Sequence, residues 1–327
     1  MTSRRSKIQL VRILEKAGLF ALNRRRTVSR IRALLYHRFG EGEKEGCVSR
    51  KTFRKQILYA SKKFRIIQPD RLFKDYNGGY GVVITVDDGY LDFYEHAYPI
   101  LRMFQVPAIV YLTTGFIDRE TWLWFDKVEY IMQEAVEHKF PFTLADSEWT
   151  FRRVDLPHLL GWFKGLSVEE RDSYVATLSE KLGVHLPEAA PKRYAPMDWH
   201  HVREMAENGI AFGSHTCTHP ILNQISSERA FPEINTSKER IEAELGKPVV
   251  SFAYPNGDYN EKTVQMVREA GYEYAFTTRY GFVSLKDSRF TLNRMAIGDR
   301  PLIYFRQDLS GIDILKESTR RFFRLNR

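Results

Sequence analysis

Two adjacent acids, Asp87 and Asp88, are the residues whose position most strongly suggests chemistry. They follow the apolar, β-branched run 82–86 and precede Gly89, so the sequence predicts a strand that ends in two carboxylates and a turn. Open α/β sheets and barrels hold ligands at such strand ends. Because adjacent like charges repel, a site that keeps both acids needs a cation or a protonated carboxyl group. The tripeptide alone is more typical of a polar turn.

A second cluster, His215 and His219, lies far along the chain after another predicted strand end. If the segment forms a helical turn, a spacing of four directs both imidazoles to one point. With one acid from the first cluster, the histidines form a ligand set that suits zinc or another divalent first-row metal. Such a metal lowers the pKa of a bound water, and the second acid can take its proton as general base. The residues indicate metal-assisted hydrolysis of an acyl group, and they leave open which acid plays which part.

A Pro-Asn-Gly turn, residues 255–257, follows a third predicted strand. Such a turn can direct backbone N–H groups at a developing oxyanion. It is a weak signal by itself, because the tripeptide is most often a simple turn. It gains weight only in combination with the other two clusters.

Alternating strand and helix patterns predict the elements that position these clusters. A strand, a helix and a strand are predicted over 82–112, and the alternation resumes over 198–277. This rhythm indicates parallel pairing, and its length of about 250 residues favours a (β/α) barrel over an open sheet. From about 117 to 196 it is interrupted by helical patterns and a predicted hairpin or loop. We interpret this region as an insertion in the barrel.

The predicted insertion brings Trp124 and Asp126 close together after a barrel strand. An aromatic ring beside an acid suits the face of a sugar and its hydroxyl groups. Aromatic residues at this spacing more often belong to a core. Both interpretations remain open at this point.

Basic residues are concentrated at both ends of the 327-residue chain, whose net charge is +9. Residues 1–30 contain a predicted basic amphipathic helix over 7–24, and residues 316–327 form a basic tail. The helix can lie on an anionic membrane or pack on the main domain, 31–315. No secretory signal or membrane span is recognised, and two cysteines give no disulfide framework. We therefore expect a cytoplasmic protein, with peripheral contact at the inner membrane surface as an option.

Together, these segments resemble the NodB-type polysaccharide deacetylases of carbohydrate esterase family four, in particular the exopolysaccharide-associated bacterial members. Residues 85–89 are similar to the family's Thr-Phe-Asp-Asp-Gly motif, and 215–219 match its His-Ser/Thr-x-x-His motif. Residues 252–257 resemble its third motif, and 35–38 resemble its first strand. The resemblance covers about residues 31–300. It implies an α/β fold, a distorted (β/α)7 barrel with a helical insertion, and removal of N-acetyl groups from amino sugars.

The resemblance also implies roles for individual residues. By position, Asp87 would be the catalytic base. The metal would most often be zinc, with Co²⁺, Ni²⁺ or Fe²⁺ as alternatives, and the backbone N–H of Asn256 would help to hold the oxyanion. The implied metal ligands are Asp88, His215 and His219, and the residues expected to contact the substrate are Trp124, Asp126, Tyr254 and Pro255.

The chain departs from the family pattern at two points. Ala253 stands where the third motif usually has an arginine, thought to position the catalytic acid. No histidine follows His219, although the family's last motif usually supplies one as general acid. We hypothesise that His37 points into the site as the replacement acid and that Arg294 supplies the missing positive charge. The alternative for His37 is a structural residue beneath the site.

The sequence therefore predicts a metal-dependent hydrolase that deacetylates an N-acetylated oligo- or polysaccharide, with no nucleic-acid partner. One rival is a barrel that keeps the metal and binds a glycan without turnover. Another is a nucleic-acid or membrane-surface protein that uses the basic ends. The second rival leaves both acids and both histidines unexplained.

Overall fold

A computed structural model describes residues 4–41, 47–74, 78–135, 142–144, 147–149, 156–284, 286 and 288–314. Its strands, in chain order, are β1 Ile31–Tyr36, β2 Arg38–Gly40, β3 Cys47–Ser49, β4 Arg65–Ile66, β5 Gly81–Val86, β6 Ile109–Leu112, β7 Phe142–Leu144, β8 Ser147–Trp149, β9 Ala211–Ser214, β10 Ser251–Ala253, β11 Tyr274–Tyr280 and β12 Leu292–Ala296. Its helices are α1 Arg4–Lys16, α2 Leu19–Arg26, α3 Arg50–Lys63, α4 Tyr98–Phe104, α5 Thr114–Ile117, α6 Trp124–Glu134, α7 Leu156–Lys164, α8 Val168–Leu182, α9 Trp199–Glu207, α10 Ser227–Leu245, α11 Glu261–Glu269 and α12 Leu302–Ser310.

Seven parallel strands close into a barrel in the order β1, β12, β11, β10, β9, β6 and β5, and β5 returns to β1. The short strand β4 extends the sheet beside the start of β5. Tyr36 lies beside Val86, and Leu112 lies beside Ser214, so the strand ends that precede the candidate site residues meet at one rim. The predicted (β/α)7 barrel is confirmed.

The alternation of side chains along each strand divides the barrel into an inner and an outer core. In β5, Val83 belongs to the inner cluster, whereas Val82 and Ile84 pack in the outer cluster under the helices. All six residues of β5 are buried, as expected for a parallel strand that helices cover from outside. By the same alternation, Asp87 lies on the inner side like Thr85, two positions before it, and faces the mouth of the barrel.

The inserted region has a hydrophobic core of its own. Helices α6, α7 and α8 pack together through Val128, Phe163 and Leu178, among others. The predicted hairpin is present as the antiparallel pair of β7 and β8. Helix α8 begins after Ser167, whose side chain caps it, and it ends at Gly183, which adopts a left-handed conformation.

The N-terminal prediction of one helix over 7–24 is wrong, because the segment forms the two helices α1 and α2. Gly18, between them, adopts a φ of 76°, which ends the first helix. The helices pack against α12 through Val11, Phe20 and Ile303. None of the helices in the described residues is long and apolar enough to cross a membrane. The basic tail 316–327 lies outside those residues.

Candidate metal and catalytic site

The sequence-predicted clusters meet in a cavity of about 290 Å³ at the rim of the barrel. Eight of the eleven candidate residues line it: His37, Asp87, Asp88, Trp124, Asp126, His215, His219 and Asn256. Arg294 lies behind Asp87, and Tyr254 and Pro255 do not reach the cavity. Further lining residues, which are not among the eleven candidates, are Arg38, Tyr90, Phe125, Glu129, Leu160, Lys164 and Thr278.

Asp88, His215 and His219 converge as a potential set of metal ligands. Asp88 Oδ1 lies 3.5 Å from the Nε2 atom of each histidine, and all three side chains are buried. Roughly 3.3 Å separates two ligand atoms of a tetrahedral zinc whose bonds are about 2.0 Å long. Asp88 Oδ1 accepts no hydrogen bond within the described residues, so the atom is buried without a partner. These residues fit a divalent cation.

Electrostatics at the three side chains also favour a cation. Burial and the neighbouring charge of Asp87 raise the pKa of Asp88 well above its ordinary value. Burial lowers the pKa of His215, and burial together with His215 lowers that of His219, so both imidazoles stay neutral. His215 Nδ1 lies 2.6 Å from the carbonyl oxygen of Ala253, which assigns its proton to Nδ1 and turns the lone pair of Nε2 towards Asp88.

The segment 215–219 is not the helical turn that the histidine spacing predicts. Thr216 and His219 adopt left-handed φ values of 72° and 60°, which bend the chain sharply after β9. Glu233 of α10 holds the bend: its carboxylate accepts N–H bonds from Cys217 at 2.8 Å and Thr218 at 2.9 Å, and a hydroxyl bond from Thr218 at 2.6 Å. The imidazoles converge through this anchored bend.

Asp87 forms a buried ion pair with Arg294. The guanidinium donates hydrogen bonds of 2.6 and 2.7 Å to the two carboxylate oxygens, and its Nε donates to the carbonyl oxygen of Thr277 at 2.8 Å. Burial alone would raise the pKa of Asp87. The charge and hydrogen bonds of Arg294, with His215 and His37, outweigh burial and lower that pKa to about 2. Asp87 is therefore ionised at neutral pH.

His37 follows β1 and faces Asp87 from the rim. Its Nε2 lies 3.9 Å from Asp87 Oδ2, and its side chain remains partly exposed. The surrounding protein lowers the pKa of His37 to about 4 by desolvation, against the opposing attraction of Asp87. The ring is therefore neutral at pH 7, so it must first accept a proton before it can act as an acid.

The insertion meets the barrel at a buried polar cluster beside the candidate ligands. Tyr90 donates a hydrogen bond of 2.6 Å to Asp126 Oδ2, and the Arg38 guanidinium lies 3.9 Å above the Tyr90 ring. Arg38 also donates to Asp92 at 2.6 Å. Burial raises the pKa of Asp126 to about 7, although Arg38 opposes the shift. The signal for this cluster in the sequence is weak: Arg38 directly follows His37, and Tyr90 directly follows the Asp-Asp-Gly motif.

The model of the polysaccharide deacetylase family matches residues 75–147 and 160–275, which is more than half of the chain. The chain belongs to the polysaccharide deacetylase family. A curated relative, the putative polysaccharide deacetylase YxkH of Bacillus subtilis (strain 168), is 22% identical over 216 residues, 66% of this chain and 51% of YxkH. The chain thus spans about half the length of this curated relative.

Solved structures of deacetylases share the fold. The Streptococcus pyogenes deacetylase PplD, solved in complex with acetate, is 21% identical with a TM-score of 0.56, over 83% of this chain and 93% of that one. IcaB from Ammonifex degensii is 18% identical with a TM-score of 0.57, over 85% and 97% of the two chains. At these identities the likeness shows the fold.

Two aromatic residues of the insertion, Trp124 and Phe125, line the cavity of this family member but have different contacts. Trp124 lines the cavity but is mostly core, because it stacks on Phe163 and lies under the Arg171 guanidinium. Phe125 packs its edge against the ring of His219, with ring centroids 5.2 Å apart. His219 Nδ1 is buried without a hydrogen-bond partner among the described residues, so ring packing is what orients this imidazole.

The third family segment brings Asn256 to the cavity and leaves its neighbours outside. Asn256 adopts a φ of 55°, and Gly257, with a φ of 78°, packs so closely on Thr278 that a Cβ would lie 2.2 Å from its hydroxyl. Tyr254 is fully buried against Phe252 in the outer core, so the expected substrate contact of Tyr254 and Pro255 is not observed. Strand alternation explains this, since Ala253 faces inward and the next residue faces outward.

Proposed function

We propose that this protein is a metal-dependent deacetylase that hydrolyses the N-acetyl group of an N-acetylated oligo- or polysaccharide. One observation carries the proposal: the two adjacent carboxylates have different partners. Asp88 faces two histidine Nε2 atoms, whereas Asp87 is held by a guanidinium. This difference suits one acid to hold a cation and the other to act as base. Membership of the polysaccharide deacetylase family supports the same reaction class.

Zinc is the cation that best suits two imidazoles and one carboxylate, and Co²⁺, Ni²⁺ or Fe²⁺ would accept the same donors. Asp88, His215 and His219 would hold it. When bound, the cation would activate water and polarise the acetyl carbonyl group as a Lewis acid. The unpartnered Oδ1 of Asp88 and the fixed tautomer of His215 support this assignment.

Asp87 is the proposed base, because it is ionised at neutral pH and its oxygens are fixed by Arg294. His37 is the proposed acceptor of the proton from Asp87, because its Nε2 lies 3.9 Å from Asp87 Oδ2. His37 then donates the proton to the leaving nitrogen, as hypothesised for the missing acid. Asn256 also lines the cavity, and its backbone N–H is the proposed donor to the carbonyl oxygen.

The cavity suits one sugar unit with its acetamido group, because about 290 Å³ lies at the small end of ligand sites. Charged side chains of the insertion, Glu129 and Lys164, line it together with Trp124 and Asp126. Hydroxyl groups of a sugar can bond to the charged groups while its apolar face contacts the aromatic ring. These residues are the proposed substrate contacts.

The rival function, a glycan-binding barrel without turnover, rested on two missing residues of the family pattern. Arg294 reaches from β12 to the carboxylate that the third-motif arginine would position, and His37 lies at the rim beside it. Both substitutions therefore favour hydrolysis over binding alone.

The first test is acetate release from N-acetylglucosamine oligomers by chelator-treated protein, before and after addition of zinc or cobalt. We expect release only after metal is restored. Asp87→Asn should lower turnover at least about 100-fold, the size typical of a lost general base, while metal binding persists. Asp258→Asn is the matched control: it changes an exposed acid directly after the Pro-Asn-Gly turn and should retain turnover.

His37→Ala, assayed in the same experiment, should lower kcat more than it changes KM, because the proton donor acts on the leaving nitrogen. Metal-loaded protein that binds the oligomers but releases no acetate would contradict the deacetylase proposal. Wild-type turnover of metal-loaded His37→Ala would contradict the role of His37 alone.

A further inference from the structure

The N-terminal helices expose an unusual number of large apolar side chains. Among the described residues, seven large hydrophobic side chains are exposed, and five of them lie in the first 28 residues: Leu10, Ile13, Leu19, Leu22 and Val28. Leu10 is 58% and Ile13 is 61% exposed. The other two, Met103 and Phe231, are isolated from each other on α4 and α10. Clustered exposure of this kind marks an interaction surface.

The opposite side of the helix pair is already occupied. Val11 and Phe20 are buried against Ile303 of α12, and Asn23 Nδ2 donates a hydrogen bond of 2.6 Å to the carbonyl oxygen of Ser310. Leu10 and Ile13, three residues apart, share a side of α1 that these contacts leave exposed. The barrel therefore fixes the helix pair and leaves this apolar surface outward.

Positive charge surrounds the apolar surface. Residues 6–30 contain seven basic residues and one acid, Glu15, which is paired with Arg306. Arg12, Arg25 and Arg26 are exposed. An apolar strip within a strongly basic segment is typical of helices that lie in the headgroup layer of anionic membranes.

Charge decides between the candidate occupants of this surface. A second copy of the chain would bring two basic faces together, and the repulsion opposes such a dimer. A nucleic acid would neutralise the basic residues but leave Leu10 and Ile13 in water. We infer that α1 and α2 bind an anionic phospholipid surface, with Leu10, Ile13 and Leu22 in the boundary between headgroups and acyl chains.

The test is co-sedimentation of the full chain with vesicles of phosphatidylcholine alone or mixed with phosphatidylglycerol. We expect binding only to the anionic vesicles, weakened by salt. Leu10→Ser/Ile13→Ser should weaken it at least about tenfold, since both apolar side chains then no longer favour insertion. Met103→Ser, which removes an equally exposed side chain elsewhere, is the matched control and should bind like the wild type.

Three outcomes would overturn the inference. The first is no binding to anionic vesicles, and the second is unchanged binding of the Leu10→Ser/Ile13→Ser variant, which would indicate a purely electrostatic contact with the headgroups and no insertion of the apolar surface. The third is a dimer by light scattering that the same variant converts to a monomer. Circular dichroism checks that the variants fold, and acetate release from soluble oligomers, measured in parallel, separates this inference from the proposed function.

Discussion

At the scale of single residues, the ion pair of Asp87 and Arg294 controls the state of the candidate base. Both side chains are buried, and the guanidinium is fully enclosed. A buried charge that loses its partner is strongly unfavourable, typically by about 3–5 kcal/mol. The pair therefore contributes to the architecture of the barrel mouth as well as to the chemistry.

We expect Arg294→Met and Asp87→Asn each to lower the free energy of unfolding by about 3–5 kcal/mol, because each leaves one buried polar group unpaired. The double variant should lose much less free energy of unfolding than the sum of the two single losses. Urea unfolding of the four proteins, in the presence of chelator, measures the coupling. Strictly additive losses would show that the two groups do not depend on each other.

Residue types and strand ends were sufficient to predict most of the lining of the site. The two histidines and one of the two acids could be proposed as ligands because their chemistry is specific and their strands end at one rim, and the family resemblance assigned Asp88 to the metal. The contacts of Asp126 with Tyr90 and Arg38 could not be predicted, because they join residues far apart in the sequence. The prediction of a substrate contact for Tyr254 is wrong, because side chains alternate across Ala253 and Tyr254 lies in the outer core.

At the scale of elements, helix α10 fixes the loop that carries the histidines. Glu233 accepts three hydrogen bonds from Cys217 and Thr218, in the middle of the bend. Those bonds stabilise the left-handed conformation of Thr216, which is unfavourable for a β-branched residue. Local spacing predicted a helical turn, and this tertiary contact is the reason that the chain does not form one.

We expect Glu233→Ala to weaken zinc binding by about 10- to 100-fold, the range found when outer contacts of ligands are removed. Equilibrium dialysis or calorimetry of the chelator-treated protein measures the affinity. Glu239→Ala changes an exposed acid of the same helix and should bind zinc like the wild type. Equal affinities for all three proteins would show that the loop holds its shape without Glu233.

At the scale of the whole molecule, the insertion and the barrel have separate hydrophobic cores, and the two bodies meet at the carboxyl group of Asp126. Asp126 belongs to α6, and its partners Tyr90 and Arg38 belong to the barrel. The sequence predicted both bodies, because each has its own periodic pattern. It could not predict their junction, since no local pattern encodes which buried acid meets which arginine.

The junction makes stability depend on pH. The pKa of Asp126 is raised by burial to about 7 in the folded protein, above the ordinary value of about 3.9 in an unfolded chain. The folded state thus binds the proton more tightly, and the free energy of unfolding falls as pH rises from about 4 to about 7. The loss attributable to this group is on the order of 4 kcal/mol.

Asp126→Asn should abolish that part of the pH dependence. The difference in free energy of unfolding, variant minus wild type, should therefore be more positive at pH 8 than at pH 4. Chemical unfolding of the chelator-treated proteins across this range measures the difference. Burial also raises the pKa of Asp308 to about 7, but Asp308 titrates in both proteins and cancels in the comparison. Parallel curves for the two proteins would refute the assignment.

The position of Arg294 on β12 has a consequence for the order of events during synthesis. Asp88, His215 and His219 leave the ribosome before Arg294, and β1 to β11 are available before β12 closes the barrel. A nascent chain therefore contains all three candidate ligands while Asp87 still lacks its guanidinium. On the proposed function, a chain cut short before β12 keeps the three candidate ligands but lacks the guanidinium that fixes the base, so metal binding and turnover would be acquired at different times.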